Sequence, residues 1–85
     1  MKHAGPQALD ELGDLLVEIR NFEGLKEKKR GAFYRKSSGF LHFHEDPAGF
    51  FADLKIDDEY QRFRVSTASE RKALVRRISS LMRAS

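Results

Sequence analysis

Leu9, Leu12, Leu16 and Ile19 recur at steps of three and four along the chain, and Leu15 and Phe22 widen that stripe. The spacing predicts an amphipathic helix over residues 7–22 with one face buried. Pro6 suits a first helical turn, Asp10 and Glu11 sit where the helix dipole favours acids, and Gly24 supplies a stop. Lys26-Glu27-Lys28-Lys29-Arg30-Gly31 then has charge without apolar period and reads as a loop. From Ala32 the period drops to two. Residues 32–36, 40–45, 50–56 and 60–65 are rich in aromatic or branched side chains and read as four short strands. Ser37-Ser38-Gly39, Asp46-Pro47-Ala48-Gly49 and Asp57-Asp58-Glu59 carry turn chemistry between them, the second with Asp, Pro and Gly in type I order. A last helix is predicted over 67–83. It opens with the capping box Thr67-Ala68-Ser69-Glu70 and has an apolar stripe of Leu74, Val75, Ile78, Leu81 and Met82.

Loops this short make neighbouring strands antiparallel. Each helix has one apolar face, and the sheet is the only large surface to receive it. The expected fold is a single α+β domain over residues 1–85. It is a two-layer sandwich in which a four-stranded antiparallel meander carries the N- and C-terminal helices on one face, in the order α-β-β-β-β-α. Closing the Asp46–Gly49 turn pairs Glu45 with Phe50, Phe43 with Ala52, His42 with Asp53 and Leu41 with Leu54, and directly opposed residues share a face. Leu41, Phe43, Phe50, Ala52, Leu54 and Ile56 then form the core side. A tight Asp58-Glu59 loop would add Phe63 opposite Leu54 and Val65 opposite Ala52. A two-residue first turn would add Ala32 and Tyr34.

The opposite face is left with Phe33, His42, Asp53 and Arg64 in one row and Arg35, Phe40, Lys55 and Arg62 in a second. His44 and Phe51 form a third, with Tyr60 at the far corner. A contiguous set of exposed Phe33, Phe40 and Phe51 calls for an interaction, because scattered exposed rings are ordinary and clustered ones are not.

Composition narrows the chemistry. At 85 residues the chain builds one core, so a site should be a surface, a shallow groove or an interface between copies. Cysteine is absent, which excludes a disulfide framework, a thiolate zinc site and a cysteine nucleophile, and makes the cytoplasm the expected location. The first residues form no long apolar run, and no stretch approaches the roughly 20 apolar residues of a membrane span, so neither a signal peptide nor a membrane partner is expected. Net charge is +3, unevenly spread. Acids dominate residues 7–23 (Asp10, Glu11, Asp14, Glu18, Glu23), whereas bases dominate residues 24–36 and the last helix. Opposite signs on two packed helices would complement each other; the same bases could serve a nucleic-acid footprint.

His42 and His44 lie on one strand face and, with Asp46 or Asp53, could offer three ligands to zinc. No HExxH or other zinc signature accompanies them, so a structural His–Asp–Arg ladder is the expected reading and no metal or other cofactor is expected. His42 with Asp53 could also act as base and orienting acid, but Ser37, Ser38 and Ser66 lie in turns or junctions and supply no nucleophile. Gly31, Gly39 and Gly49 are isolated turn glycines, not a phosphate loop. The domain is therefore read as non-enzymatic. Its interaction surface is Phe33, Arg35, Phe40, His42, His44, Phe51, Asp53, Lys55, Arg62 and Arg64. That surface suits a homodimer or a protein partner through apolar rings, or DNA or RNA through rings that stack beside phosphate-pairing cations.

The order of a helix, a basic loop, then Gly31-Ala32-Phe33-Tyr34-Arg35-Lys36, Gly39-Phe40-Leu41-His42-Phe43 and Phe51-Ala52-Asp53-Leu54-Lys55 before a final helix resembles the small bacterial YjbR- and YdhG-type domains. The resemblance implies a helix-flanked antiparallel sheet, and some members of that group are described as possible DNA binders.

Overall fold

The computed structural model describes residues 1–84. The elements in chain order are β1 (Lys2–His3), α1 (Pro6–Glu11), α2 (Gly13–Arg20), β2 (Leu25–Lys29), β3 (Ala32–Arg35), β4 (Ser38–Asp46), β5 (Gly49–Ile56), β6 (Glu59–Arg64) and α3 (Ala68–Arg83). The sheet is an antiparallel meander ordered β2-β3-β4-β5-β6, and β1 pairs with the far half of β4, beyond the residues that β3 covers. Side chains from the helices (Leu9, Leu12, Leu15, Leu16, Ile19, Leu74, Ile78) and from the sheet (Phe33, Phe40, Leu41, Phe43, Ala52, Leu54, Ile56, Val65) close one core. The α+β arrangement of helices against an antiparallel sheet is thus as expected, with more strands and a divided first helix.

Three differences follow from local chemistry. The helix expected over 7–22 is broken at Leu12, whose φ of −87° and ψ of 7° interrupt the ladder. Gly13, a poor helix former, opens the second segment. The apolar stripe survives the break because Leu9, Leu12, Leu16 and Ile19 are all buried. Residues 25–29, expected as loop, form an edge strand. Leu25 and Glu27 turn partly inward while Lys26, Lys28 and Lys29 are exposed, and lysines on an outer strand hinder pairing with another chain. Glu27 closes the strand by pairing with Arg20, 2.5 Å away, and by accepting the Gly31 N–H at 2.8 Å. Burial pushes the Glu27 carboxyl up, but those two bonds win and hold it below its ordinary range. Charges of both signs thus tie the first helices to this segment, Arg20 of α2 to Glu27 and Asp10 of α1 to Arg30 just past β2.

The third difference is register. The β4–β5 hairpin pairs Leu41 with Leu54, His42 with Asp53, Phe43 with Ala52 and Glu45 with Phe50, as the Asp46–Gly49 turn implied. Asp46 Oδ1 accepts the Ala48 N–H at 2.7 Å and fixes that turn. The last hairpin turns at Asp57-Asp58, both at positive φ (53° and 67°), so Ile56 faces Glu59. That is the mirror-image turn whose twist suits a two-residue hairpin. It shifts β6 by two residues from expectation. Phe63 faces Ala52 and Gln61 faces Leu54, and the face of every side chain is kept. The first hairpin turns at Lys36-Ser37, again with both φ positive (52° and 68°), and a bulge leaves Phe40 without an opposite number between Tyr34↔Gly39 and Phe33↔Leu41. One extra residue flips parity. Phe33 and Phe40 therefore enter the core at 1% and 4% exposure, while Ala32 and Tyr34 turn to the other side.

α3 follows its capping signal. Thr67 accepts the Glu70 N–H, and the Glu70 carboxylate accepts the Thr67 and Ser66 N–H groups at 2.9 and 3.0 Å. Among the described residues no helix is long and apolar enough to cross a membrane.

Candidate functional site: the open face of the sheet

The face away from the helices is assembled in two rows. Opposed residues share a face, so Ala32, His42, Asp53 and Arg62 form one row, and His3, His44, Phe51 and Arg64 the next. Lys55 opposite Tyr60 and Lys26 opposite Tyr34 extend the face away from β1.

Asp53 lies at its centre and is the only charged residue among the buried ones described, at 8% exposure. A carboxylate so placed needs full pairing. Arg62 supplies a fork, donating from Nε to Oδ1 at 2.8 Å and from Nη2 to Oδ2 at 2.9 Å, a bidentate geometry that lysine cannot make. His44 Nε2 lies 3.0 Å from Oδ2. The Arg62 fork holds the Asp53 carboxyl below its ordinary range against the opposing effect of burial, with His44 and His42 adding to it.

His44 also meets its strand neighbour, His42 Nδ1 lying 3.1 Å from His44 Nε2. The third imidazole comes from β1. His3 stacks on His44 with ring centres 4.7 Å apart, and His42 stands edge-on to both, at 6.0 Å from His3 and 5.1 Å from His44. One nitrogen from each of the three rings lies within 4.8 Å of the other two. Burial lowers the His42 pKa, the neighbouring histidines and Arg62 add to this, and Asp53 pulls the other way without prevailing.

Away from β1 the face turns aromatic and basic. The Tyr60 ring packs 4.8 Å from His42, and burial, then Tyr34 and Asp53, raise its phenol above the ordinary range. Gly39 makes room. A Cβ there would lie 2.6 Å from the Tyr60 hydroxyl and 4.0 Å from Tyr34 Cε2, so the two phenols lie over a bare stretch of backbone. Lys55 Nζ sits 5.3 Å above the Tyr60 ring and Lys28 Nζ 4.7 Å above Tyr34, both within cation–π range. Beside them Lys26, Lys28, Tyr34 and Lys36 line a shallow groove of about 380 Å³.

Of the expected surface, His42, His44, Phe51, Asp53, Lys55, Arg62 and Arg64 share this face. Phe33 and Phe40 do not; the bulge puts both in the core. Arg35 does not either. Its guanidinium lies over the Phe40 ring at 5.7 Å, and the residue lines a groove with Leu81 of α3 and Ala84 just past its end. Arg62 replaces Arg64 opposite Asp53, a consequence of the two-residue shift in β6. Asp46, considered above as a ligand, is spent on its own turn. Sequence reasoning passed over His3, Tyr34, Lys26 and Lys28. The Leu25-Lys26-Glu27-Lys28 alternation carried a readable strand signal; the two residues of β1 carried none. No family model, curated protein or solved structure matches this chain.

Proposed function

We propose that the domain is a non-enzymatic interaction module that binds single-stranded nucleic acid on the open face of its sheet. The observation that carries this reading is the pairing of rings with cations on a surface no helix covers: Lys28 over Tyr34 and Lys55 over Tyr60. Phe51 and Arg64 lie opposite each other in the row next to Asp53. Aromatic faces accept any base by stacking, and the cations beside them follow the phosphates. The buried carboxylate does not spoil the potential, because Arg62 offsets it at bonding distance.

Self-association through this face has lost its main support. It rested on three wet phenylalanines, and two of them, Phe33 and Phe40, are core residues. What remains, Phe51, Tyr34 and Tyr60 set among histidines and charged side chains, is a smaller apolar centre than stable interfaces between copies use.

The test is anisotropy of a short labelled single-stranded oligonucleotide titrated with the protein. If Lys26, Lys28 and Lys55 each pair with a phosphate, affinity should fall by about twentyfold between about 50 and 200 mM salt, from counterion release at about 0.7 per contact. Tyr60→Ala should weaken binding by about 1–3 kcal/mol through lost stacking, and Lys28→Ala should flatten the salt slope. A chain that stays monomeric and binds no oligonucleotide at low salt overturns the reading. Mass that rises with protein concentration and is abolished by Tyr60→Ala would restore self-association.

A further inference from the structure

We propose that His3, His42 and His44 form a binding site for a divalent transition-metal ion of the zinc class. The chain has three histidines, and all three meet on one patch of the open face. Two are placed by strand alternation along β4. The third is delivered by backbone pairing, His3 opposite His44, and that pairing is secured on both sides: the Ala4 N–H donates to the Phe43 carbonyl at 3.0 Å, and the Gly5 N–H to Glu45 Oε2 at 2.7 Å.

Zinc–nitrogen bonds of about 2.0–2.1 Å in a tetrahedron put ligand nitrogens about 3.4 Å apart. The His42 and His44 nitrogens stand at 3.1 Å, close to that separation before any ion arrives. The full set spans no more than 4.8 Å, so closing the triangle asks for roughly an ångström of movement, a side-chain rotation of His3. That ring is exposed and sits on a strand of two residues, where rotation meets little resistance. The donor set selects the ion. Imidazole nitrogens suit zinc, copper(II), nickel and cobalt(II), whereas calcium and magnesium want oxygen and copper(I) wants sulfur.

Asp53 helps without being counted as a ligand. Its carboxylate is 3.0 Å from His44 Nε2, so a negative charge already faces the place where a dication would sit. When an ion binds, Asp53 stays held on the Arg62 fork. A fourth coordination position opens toward solvent, since His3 is exposed. A purely structural cluster would instead use the three rings to hold β1 on β4, and it would gain nothing from an ion.

The inference is independent of nucleic-acid binding, and its test contains no oligonucleotide. The full-length, tag-free chain is stripped of metal and titrated calorimetrically with zinc chloride, with thermal melts recorded in parallel. One equivalent should bind, and the melting temperature should rise because the folded state alone holds the ion. Cobalt(II) in place of zinc should give the visible absorption of a nitrogen-rich tetrahedral site. His3→Ala removes an exposed ring outside the core, so its metal-free melting temperature should match the wild type. Its zinc affinity should fall at least about tenfold, since even groups behind the ligands are worth 10- to 100-fold. His42→Ala should lose affinity to a similar degree. No saturable binding by the wild type overturns the proposal, and so does one-equivalent binding that His3→Ala leaves unchanged.

Discussion

Truncating Phe40 to alanine tests the bulge that decides which rings the open face carries. Strict alternation from the strand pattern would leave Phe40 wet, and its removal would then cost little, within about 1 kcal/mol, as surface changes do. In the structure the ring is 4% exposed and belongs to the core with Leu41 and Leu54. Deleting a buried phenylalanine costs about 3–5 kcal/mol in lost transfer and cavity terms. Set against a total of about 5–15 kcal/mol for a domain, that is a large fraction. For a chain of this size each kcal/mol lowers the melting temperature by about 4–8 °C, so the variant should melt some 12–40 °C below wild type. In urea, with a slope of about 1–3 kcal/mol per molar, the midpoint should drop by about 2 M. Phe33→Ala, at 1% exposure, should behave alike. Phe51→Ala, on the half-buried open face, should lose much less stability and should weaken oligonucleotide binding instead. Equal, small losses at Phe33, Phe40 and Phe51 would refute the bulge and return all three rings to one surface.

Other consequences are local. Ser37 sits at a φ of 68° in the first hairpin turn, where glycine has no steric penalty. Ser37→Gly should therefore raise stability by up to about 1 kcal/mol in chemical denaturation, and a loss would show that the turn is of another type. Thr67 accepts the Glu70 N–H at 3.2 Å, so Thr67→Ala should cost about 0.5–2 kcal/mol, and Thr67→Ser should recover most of it. Glu27 has a depressed pKa in the folded state. Its contribution to stability is present above the unfolded carboxyl pKa of about 4.3 and is lost as pH falls through the lower folded value. The melting temperature of wild type should accordingly converge on that of Glu27→Gln as the solution is acidified below that range, and parallel profiles would exclude the linkage.

The parts of the fold that were legible in the sequence are those whose side-chain period and turn agree. The Asp-Pro-Ala-Gly turn has one good reading, and β4 and β5 pair as it dictates. His42, His44, Phe51 and Asp53 consequently stand where alternation puts them. The third hairpin was legible in face but not in partner. Asp57-Asp58 and Asp58-Glu59 are both acceptable turn pairs by residue type. The choice moves β6 by two, an even shift that preserves every face and exchanges Arg64 for Arg62 beside Asp53. The first hairpin was legible in neither. Lys36 and Ser37 are not residues that advertise positive φ, and an odd insertion at Phe40 inverts the strand beyond it, sending Phe33 inward and Tyr34 outward. β1 offers only two residues, too few for any period to register, yet it brings His3 to His44. A candidate site centred on the Asp46–Gly49 hairpin thus keeps its centre under sequence reasoning and loses its margins. Each further hairpin adds one uncertain turn, and only an odd error changes what the face is made of. That is why the carboxylate and two histidines could be read from the strand pattern, whereas the third histidine and the tyrosine–lysine flank required coordinates.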